Sequence, residues 1–216
     1  MHDEEKHAAA EAALPLVESG MRVGLGTGTT VGFLLPLLAA RHLELRCVAT
    51  SQRTADAARE VGITVERFES LDRLDIAIDS ADQVAPDGWL MKGGGGAHTR
   101  EKVVAAAADR FVVIASSDKL VEALAPPVPL ELLVFGLPAT LRAVAPTKLR
   151  DVPPTPDGNV IADYLGPVSD PAQLATRLSA TPGVVEHGLF PPELVSEIVV
   201  ARDGDIERWM LSATSR

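Results

Sequence analysis

The chain is poor in several things, and each shortage excludes something. Its 216 residues include one cysteine, which rules out a disulfide framework and a cysteine-rich metal site. Phe, Trp and Tyr together supply 4% of the residues, and 20 basic side chains face 30 acidic ones. The resulting net charge of −10 has the wrong sign for a nucleic-acid surface, and so few rings leave little for base stacking. No apolar run approaches the ~18 residues of a membrane span. The N-terminal Met1-His2-Asp3-Glu4-Glu5-Lys6 is acidic with no apolar stretch behind it, so no signal peptide is expected. His2, His7, His42, His98 and His187 show no ligand spacing, so no metal is expected. What is present is ordinary for a folded protein: 46% apolar and 23% charged residues. The length suits one full domain with a smaller second one. A soluble, cytoplasmic protein that binds neither nucleic acid nor membrane is expected.

Short apolar runs over Met21–Leu25, Leu45–Thr50, Leu74–Ile78 and Arg110–Ala115 predict strands. Between them, Glu4–Ser19, Val31–Ala40, Arg53–Glu60 and Thr99–Asp109 predict helices, and the alternating Ile63–Glu66 predicts one more short strand. Such alternation argues for an α/β fold with a mostly parallel sheet. The composition shifts at Ala125-Pro126-Pro127-Val128-Pro129, a candidate domain junction. Beyond it, strands are expected over Leu130–Val134, Asn159–Leu165 and Val184–Leu189, and helices over Leu137–Val144 and Asp170–Thr181. Ser196–Ala201 and Ile206–Trp209 flank Asp203-Gly204 as a hairpin would.

The chemistry gathers where strands end. Gly26-Thr27-Gly28-Thr29-Thr30, the pair Asp79 and Asp82, and Asp118-Lys119 each follow an apolar strand, the edge of an α/β sheet where ligands bind. The first of these would offer N–H groups and hydroxyls to a phosphate at a helix N-terminus, yet it lacks the lysine of a P-loop and the glycine spacing of a dinucleotide fingerprint. It reads equally well as a tight turn with a threonine cap. Asp79 and Asp82 could hold sugar hydroxyls or move a proton, or could serve as a turn and a cap. Lys92 and the four glycines Gly93–Gly96 run directly into Thr99-Arg100-Glu101-Lys102. Glycines let backbone approach a ligand closely, and a carboxylate base near a lysine suits proton abstraction beside a carbonyl. His98, Cys47 and His187 read as packing or surface residues.

These segments, with Ser117-Asp118-Lys119-Leu120-Val121 and Pro182-Gly183-Val184-Val185-Glu186-His187-Gly188-Leu189-Phe190, closely resemble ribose-5-phosphate isomerases of the A type. The resemblance runs in order from Lys6 to the final hairpin. It implies an aldose–ketose isomerase that needs no metal or cofactor and interconverts ribose 5-phosphate and ribulose 5-phosphate in pentose phosphate metabolism. Glu101 matches the proton acceptor, and Asp79 the acid associated with ring opening. Asp82 and Lys92 match groups that hold the sugar oxygens and the developing charge. Thr27, Gly28, Thr29, Thr30, Ser80, Ala81, Gly93, Gly94, Gly95, Lys119 and Lys6 match positions around the sugar phosphate.

The implied fold is a Rossmann-like, mostly parallel sheet with helices on both faces, plus a smaller ferredoxin-like α/β domain. The expected domains are 1–126 with 196–216, and 127–195, in a homodimer or homotetramer. Two departures stand out: Ser80 and Gln83 replace the Gly and Glu usual in the family, and the segment Phe135–Pro156 is shorter and richer in proline. A sugar-phosphate deaminase or lactonase on the same architecture would not explain the Lys-Gly-to-Arg-Glu spacing. A sugar-phosphate sensor would carry a DNA-binding segment for which there is no room before Lys6.

Overall fold

A computed structural model describes residues 2–211. Along the chain, α1 (His2–Ala13) is followed by β1 (Arg22–Leu25), α2 (Thr29–Ala39), β2 (Arg46–Ala49), α3 (Gln52–Glu60) and β3 (Leu74–Asp79). Next come β4 (Gln83–Val84), β5 (Leu90–Met91), α4 (His98–Ala106) and β6 (Ala108–Ser116). Then β7 (Val128–Leu132), α5 (Leu137–Ala143), β8 (Thr147–Leu149), β9 (Val160–Tyr164), α6 (Pro171–Ser179), β10 (Val184–His187) and β11 (Leu189–Phe190) precede β12 (Glu197–Arg202) and β13 (Asp205–Met210). Among these helices none is long and apolar enough to cross a membrane.

The described residues divide into two compact units, 2–81 with 100–120 and 192–211, and 82–99 with 121–191. In the first, a six-stranded sheet runs β13-β12-β6-β3-β1-β2, parallel throughout except for the antiparallel edge pair β12–β13. Its core joins Val23, Leu25, Ile76, Ile78, Val112, Ile114 and Val199 of the strands to Leu34 and Leu38 of α2 and the alanines Ala9, Ala10 and Ala13 of α1. Short side chains on α1 allow close packing on the sheet. Because β1 lies between β2 and β3, the chain leaves it toward one side and later returns on the other. That is a topological switch point, and the segments after β1 and β3 both emerge there. Asp203 and Gly204 both take positive φ, as a two-residue turn between β12 and β13 requires.

The second unit carries the order β7-α5-β8-β9-α6-β10 with an antiparallel sheet β10-β7-β9-β8, which is the ferredoxin-like arrangement. Leu130, Leu132, Ala162, Tyr164, Leu174 and Leu178 fill its core. Asp170 caps α6 by accepting from the Gln173 N–H at 2.9 Å. A small sheet β11-β5-β4 belongs to the same unit.

Several boundaries differ from the sequence reading. The expected helix Glu4–Ser19 stops at Ala13 and tightens into a 3₁₀ turn over Leu14–Leu16, because Pro15 cannot continue the α-helical hydrogen bonds. Ile63–Glu66 forms only an isolated bridge, Cys47 to Val65, rather than a strand. The compact units also divide the chain otherwise than at residue 126: the segment 82–99 falls in the second unit, since β5 pairs with both β4 and β11. Neither β8 nor the β4–β5 hairpin was expected.

Ion pairs tie adjacent strands of the parallel sheet, among them Arg22 with Asp75 and Arg110 with Glu197. Arg22 on β1 donates to Asp75 on β3 from Nη2 at 2.8 Å, and its backbone N–H reaches the same carboxylate at 2.6 Å. The Arg22 hydrogen bonds hold the Asp75 carboxyl down to about 2. A carboxyl with a lowered folded pKa stabilises the fold above its unfolded value of about 4, and that contribution disappears as pH falls toward about 2. After discounting for solvent, Asp75→Asn should cost ~1 kcal/mol at pH 7, or ~2–4 °C in Tm. The gap should close near pH 2. Equal Tm values for the two proteins at pH 7 would show that the pair contributes nothing.

Candidate active site

The first unit brings Asp79 and the Gly26–Thr30 loop together at its switch point. The Asp79 side chain is 2% exposed, and its Oδ1 accepts from the backbone N–H groups of Thr27 at 3.0 Å and Ser80 at 2.7 Å. Glycine at 26 is a steric requirement, because a Cβ there would lie 2.0 Å from the Asp79 carboxyl carbon. Ser80 donates its hydroxyl to the Thr27 carbonyl at 3.0 Å. The Thr27 hydroxyl lies 2.8 Å from both Thr50 Oγ1 and Ser51 Oγ, a network that Thr54 closes by donating to the Gly26 carbonyl. Its donors are therefore engaged with the scaffold. The loop's anion-binding capacity instead lies in the first turn of α2, where N–H groups have no acceptor within the helix. Thr29 is exposed there and Thr30 is buried.

A cavity of about 370 Å³ beside this loop is lined by Gly28, Thr29, Arg53, Thr54 and Asp3 among others. Arg53, which follows β2, was not singled out from the sequence, although its place after a strand and a Ser-Gln pair was a usable signal. Lys6 on α1 pairs with Asp3 at 2.8 Å, and Lys119 pairs with Asp118 at 3.0 Å. Glu101, in the first turn of α4, is 4% exposed.

Glu5 is buried in the same unit, accepting at Oε2 from the Ser117 N–H at 3.0 Å and the Ser117 hydroxyl at 2.7 Å. The Ser117 hydroxyl lowers its pKa against the opposing effect of burial. Burial raises Asp118, but Ser116 and Lys119 outweigh it and leave that carboxyl below its ordinary value. His2, Glu5 and Asp118 are the one group among the described residues whose nitrogen and oxygen atoms lie close enough to share a metal ion, within 4.8 Å. Glu5 there already serves the Ser117 turn.

The second unit carries Asp82, Lys92 and the glycine run. Lys92 follows β5 and is 2% exposed, with its Nζ 5.6 Å from the centroid of the Phe190 ring. Its backbone N–H donates to the Gly188 carbonyl at 2.8 Å. The Gly188-Leu189-Phe190 motif thus supports the lysine from the neighbouring strand β11, a role its sequence did not announce. Gly93 takes φ +100°, and a Cβ there would meet the His98 ring at 2.7 Å. His98 is fully buried, as a packing residue should be. The Gly94 N–H donates to Asp82 Oδ2 at 2.7 Å, fixing the exposed aspartate against the loop. Glu131 on β7 is a buried hub that accepts from Thr99 Oγ1, from Thr155 Oγ1 at 2.8 Å and from Asn159 Nδ2 at 2.8 Å.

Each unit therefore presents a backbone-lined loop with buried titratable side chains in the same unit. Such an arrangement can bind an anion through N–H groups and can give or take a proton. The family described as ribose 5-phosphate isomerase A (phosphoriboisomerase A) matches residues 46–205. Ribose-5-phosphate isomerase A of Roseiflexus castenholzii (strain DSM 13941 / HLO8) is 43% identical, with 94% of both chains covered. The crystal structure of ribose 5 phosphate isomerase A from Neisseria gonorrhoeae superposes with a TM-score of 0.92 at 29% identity, covering 98% of both chains. A D-ribose-5-phosphate isomerase in complex with phospho-erythronic acid gives 0.90 at 30% identity, covering 97% of this chain and 99% of that one. On this match of sequence and fold from end to end, the chain belongs to the ribose 5-phosphate isomerase A family.

Proposed function

We propose that the protein is an isomerase that interconverts D-ribose 5-phosphate and D-ribulose 5-phosphate through an enediolate. The observation that carries this reading is the retention of a buried carboxylate, Glu101, and a buried ammonium, Lys92, in a chain of this family. Ionised groups are costly to bury, and the cost is repaid where they meet charge that develops during a reaction.

In this reading Asp79 assists opening of the furanose ring. Glu101 then takes the C2 proton of the open aldose, so that the C–H electron pair becomes the C1=C2 bond and negative charge moves onto O1. Lys92 and Asp82, with the backbone of Gly93, Gly94 and Gly95, hold the sugar oxygens through that stage. The O2 hydroxyl proton passes to O1, restoring a hydroxyl there, and Glu101 returns its proton to C1 as the C2 carbonyl forms. The first turn of α2 (Gly28, Thr29 and Thr30), Lys6 and Lys119 bind the phosphate, while Thr27, Ser80 and Ala81 shape the wall beside Asp79. A related isomerase binds phospho-erythronic acid, whose planar carboxylate sets two oxygens side by side as an enediolate does. That resemblance supports the same intermediate here.

The reading includes a cytoplasmic role in pentose phosphate interconversion and a homodimer or homotetramer. The run Leu133, Val134 and Phe135 beyond β7, with Phe135 92% exposed, supports an interface between copies.

The test is conversion of ribose 5-phosphate with and without a chelator, beside free ribose. Activity should survive chelation, because a lysine and peptide N–H groups meet the charge. Losing two or three charge-assisted hydrogen bonds to the phosphate should cut kcat/KM for free ribose by ~10³-fold or more. Comparable kcat/KM for the two sugars, or activity that requires an added ion, would overturn the reading.

A further inference from the structure

The segment 135–156 carries a side chain that grips the glycine run. Arg150, directly after β8, donates from Nη1 to the carbonyl of Gly93 at 2.9 Å and to that of Gly94 at 3.0 Å. Its other edge is held by Asp163 on β9, from Nε to Oδ2 at 2.9 Å and from Nη2 to Oδ1 at 2.7 Å. The guanidinium is thus fixed as a planar fork, 18% exposed, between a carboxylate and two consecutive peptide groups.

The consequence follows from peptide geometry. In a trans peptide the C=O and the next residue's N–H point in opposite directions. With the Gly93 carbonyl turned to Arg150, the Gly94 N–H must point the other way, and there it meets Asp82 at 2.7 Å. With the Gly94 carbonyl on the same nitrogen, the Gly95 N–H is also directed away from the guanidinium. Consecutive glycines have no side chains to hold a chosen orientation, and their peptides turn over at low cost. The Gly96 N–H donates to the Gly93 carbonyl at 3.0 Å within the turn, but the Gly94 carbonyl is held from outside the run, by Arg150.

We propose that Arg150, oriented by Asp163, is a positioning residue that locks the Gly93–Gly94 and Gly94–Gly95 peptides, so that the Gly94 N–H holds Asp82 in place and the Gly95 N–H stays aimed for the enediolate oxygens. This rests on the isomerase reading above. Arg150 touches neither substrate nor reacting atoms; it acts through the glycine backbone. Lysine cannot replace it, since a single ammonium cannot bind Asp163 at two points and still reach both carbonyls.

The experiment uses Arg150→Ala, Arg150→Lys and Asp163→Asn in the full chain. It measures kcat and KM for ribose 5-phosphate, inhibition by phospho-erythronic acid, and amide hydrogen exchange at Gly94. In Arg150→Ala and Arg150→Lys, kcat should fall ~10- to 100-fold with KM nearly unchanged, a step below the ~10²–10³ seen on deleting an oxyanion donor itself. The inhibition constant for phospho-erythronic acid should rise in step with the loss of kcat. Methylguanidinium should restore part of the kcat of Arg150→Ala, and exchange at Gly94 should quicken in all three variants.

A fall in kcat with inhibitor affinity unchanged would assign Arg150 a purely structural role and overturn the proposal, as would wild-type kcat in a folded Arg150 variant. If Arg150→Ala does not fold, Arg150→Lys and Asp163→Asn carry the same readouts. Wild-type protein inactive on ribose 5-phosphate would overturn the isomerase reading instead. Active wild-type protein with unaffected variants and unchanged Gly94 exchange would overturn only the clamp.

Discussion

Glu101→Gln should lose ~10²–10⁴-fold in kcat while KM for ribose 5-phosphate changes little. The amide keeps the shape and hydrogen-bonding reach of the carboxylate in a position only 4% exposed, so α4 should remain intact. What it loses is the capacity to accept a carbon-bound proton. The loss belongs to the transition state, because substrate binding does not require that transfer. Exchange of the substrate's C1 or C2 hydrogen with solvent deuterium supplies the control. Exchange and isomerisation should fall together, since one proton transfer underlies both. A folded Glu101→Gln protein that binds substrate and turns over at near wild-type kcat would remove Glu101 from the reaction.

Lys92→Met should lower kcat by ~10²–10³-fold, with a smaller rise in KM. Methionine is close to lysine in length, and its thioether can take the place of the ammonium over the Phe190 ring. The backbone bond from residue 92 to Gly188 does not depend on the side chain, so β5 and β11 should keep their pairing. The change is then chiefly one of charge. At 2% exposure the ammonium acts with little water to screen it, so its attraction for an oxyanion greatly exceeds that of a surface lysine. The charge it meets is greatest at the enediolate, which is why kcat should suffer more than KM. Steady-state kinetics and the inhibition constant for phospho-erythronic acid together check this. Equal kcat in Lys92→Met and wild type would leave the oxyanion to the glycine N–H groups alone.

The features legible in the sequence were those whose reason is local. Gly26, Gly28 and the run Gly93–Gly96 stand out because few other residues tolerate such close approach or positive φ. The Asp203-Gly204 turn was readable for the same cause. Asp79 was visible because a charged residue at the end of an apolar strand is unusual, and Lys92 because four glycines follow it. Misplaced elements were those decided by partners far along the chain. The dipeptide strands β4 and β5 have no periodicity to detect, and they exist because β11, about a hundred residues later, completes their sheet.

By itself the sequence determined the alternation of strands and helices, the two glycine loops, the family, and which ionised residues to suspect. Tertiary structure alone decided how those residues are held. Nothing near Gly93 in the chain announces Arg150, 57 residues away, or the Asp163 that orients it. Phe190 beneath Lys92 and Glu131 beneath Thr99 depend equally on strand pairing and packing in the second unit. The physical reason is that a motif records what a backbone position will tolerate, whereas the aim of a peptide or a buried charge is set by groups that meet only after the chain has folded.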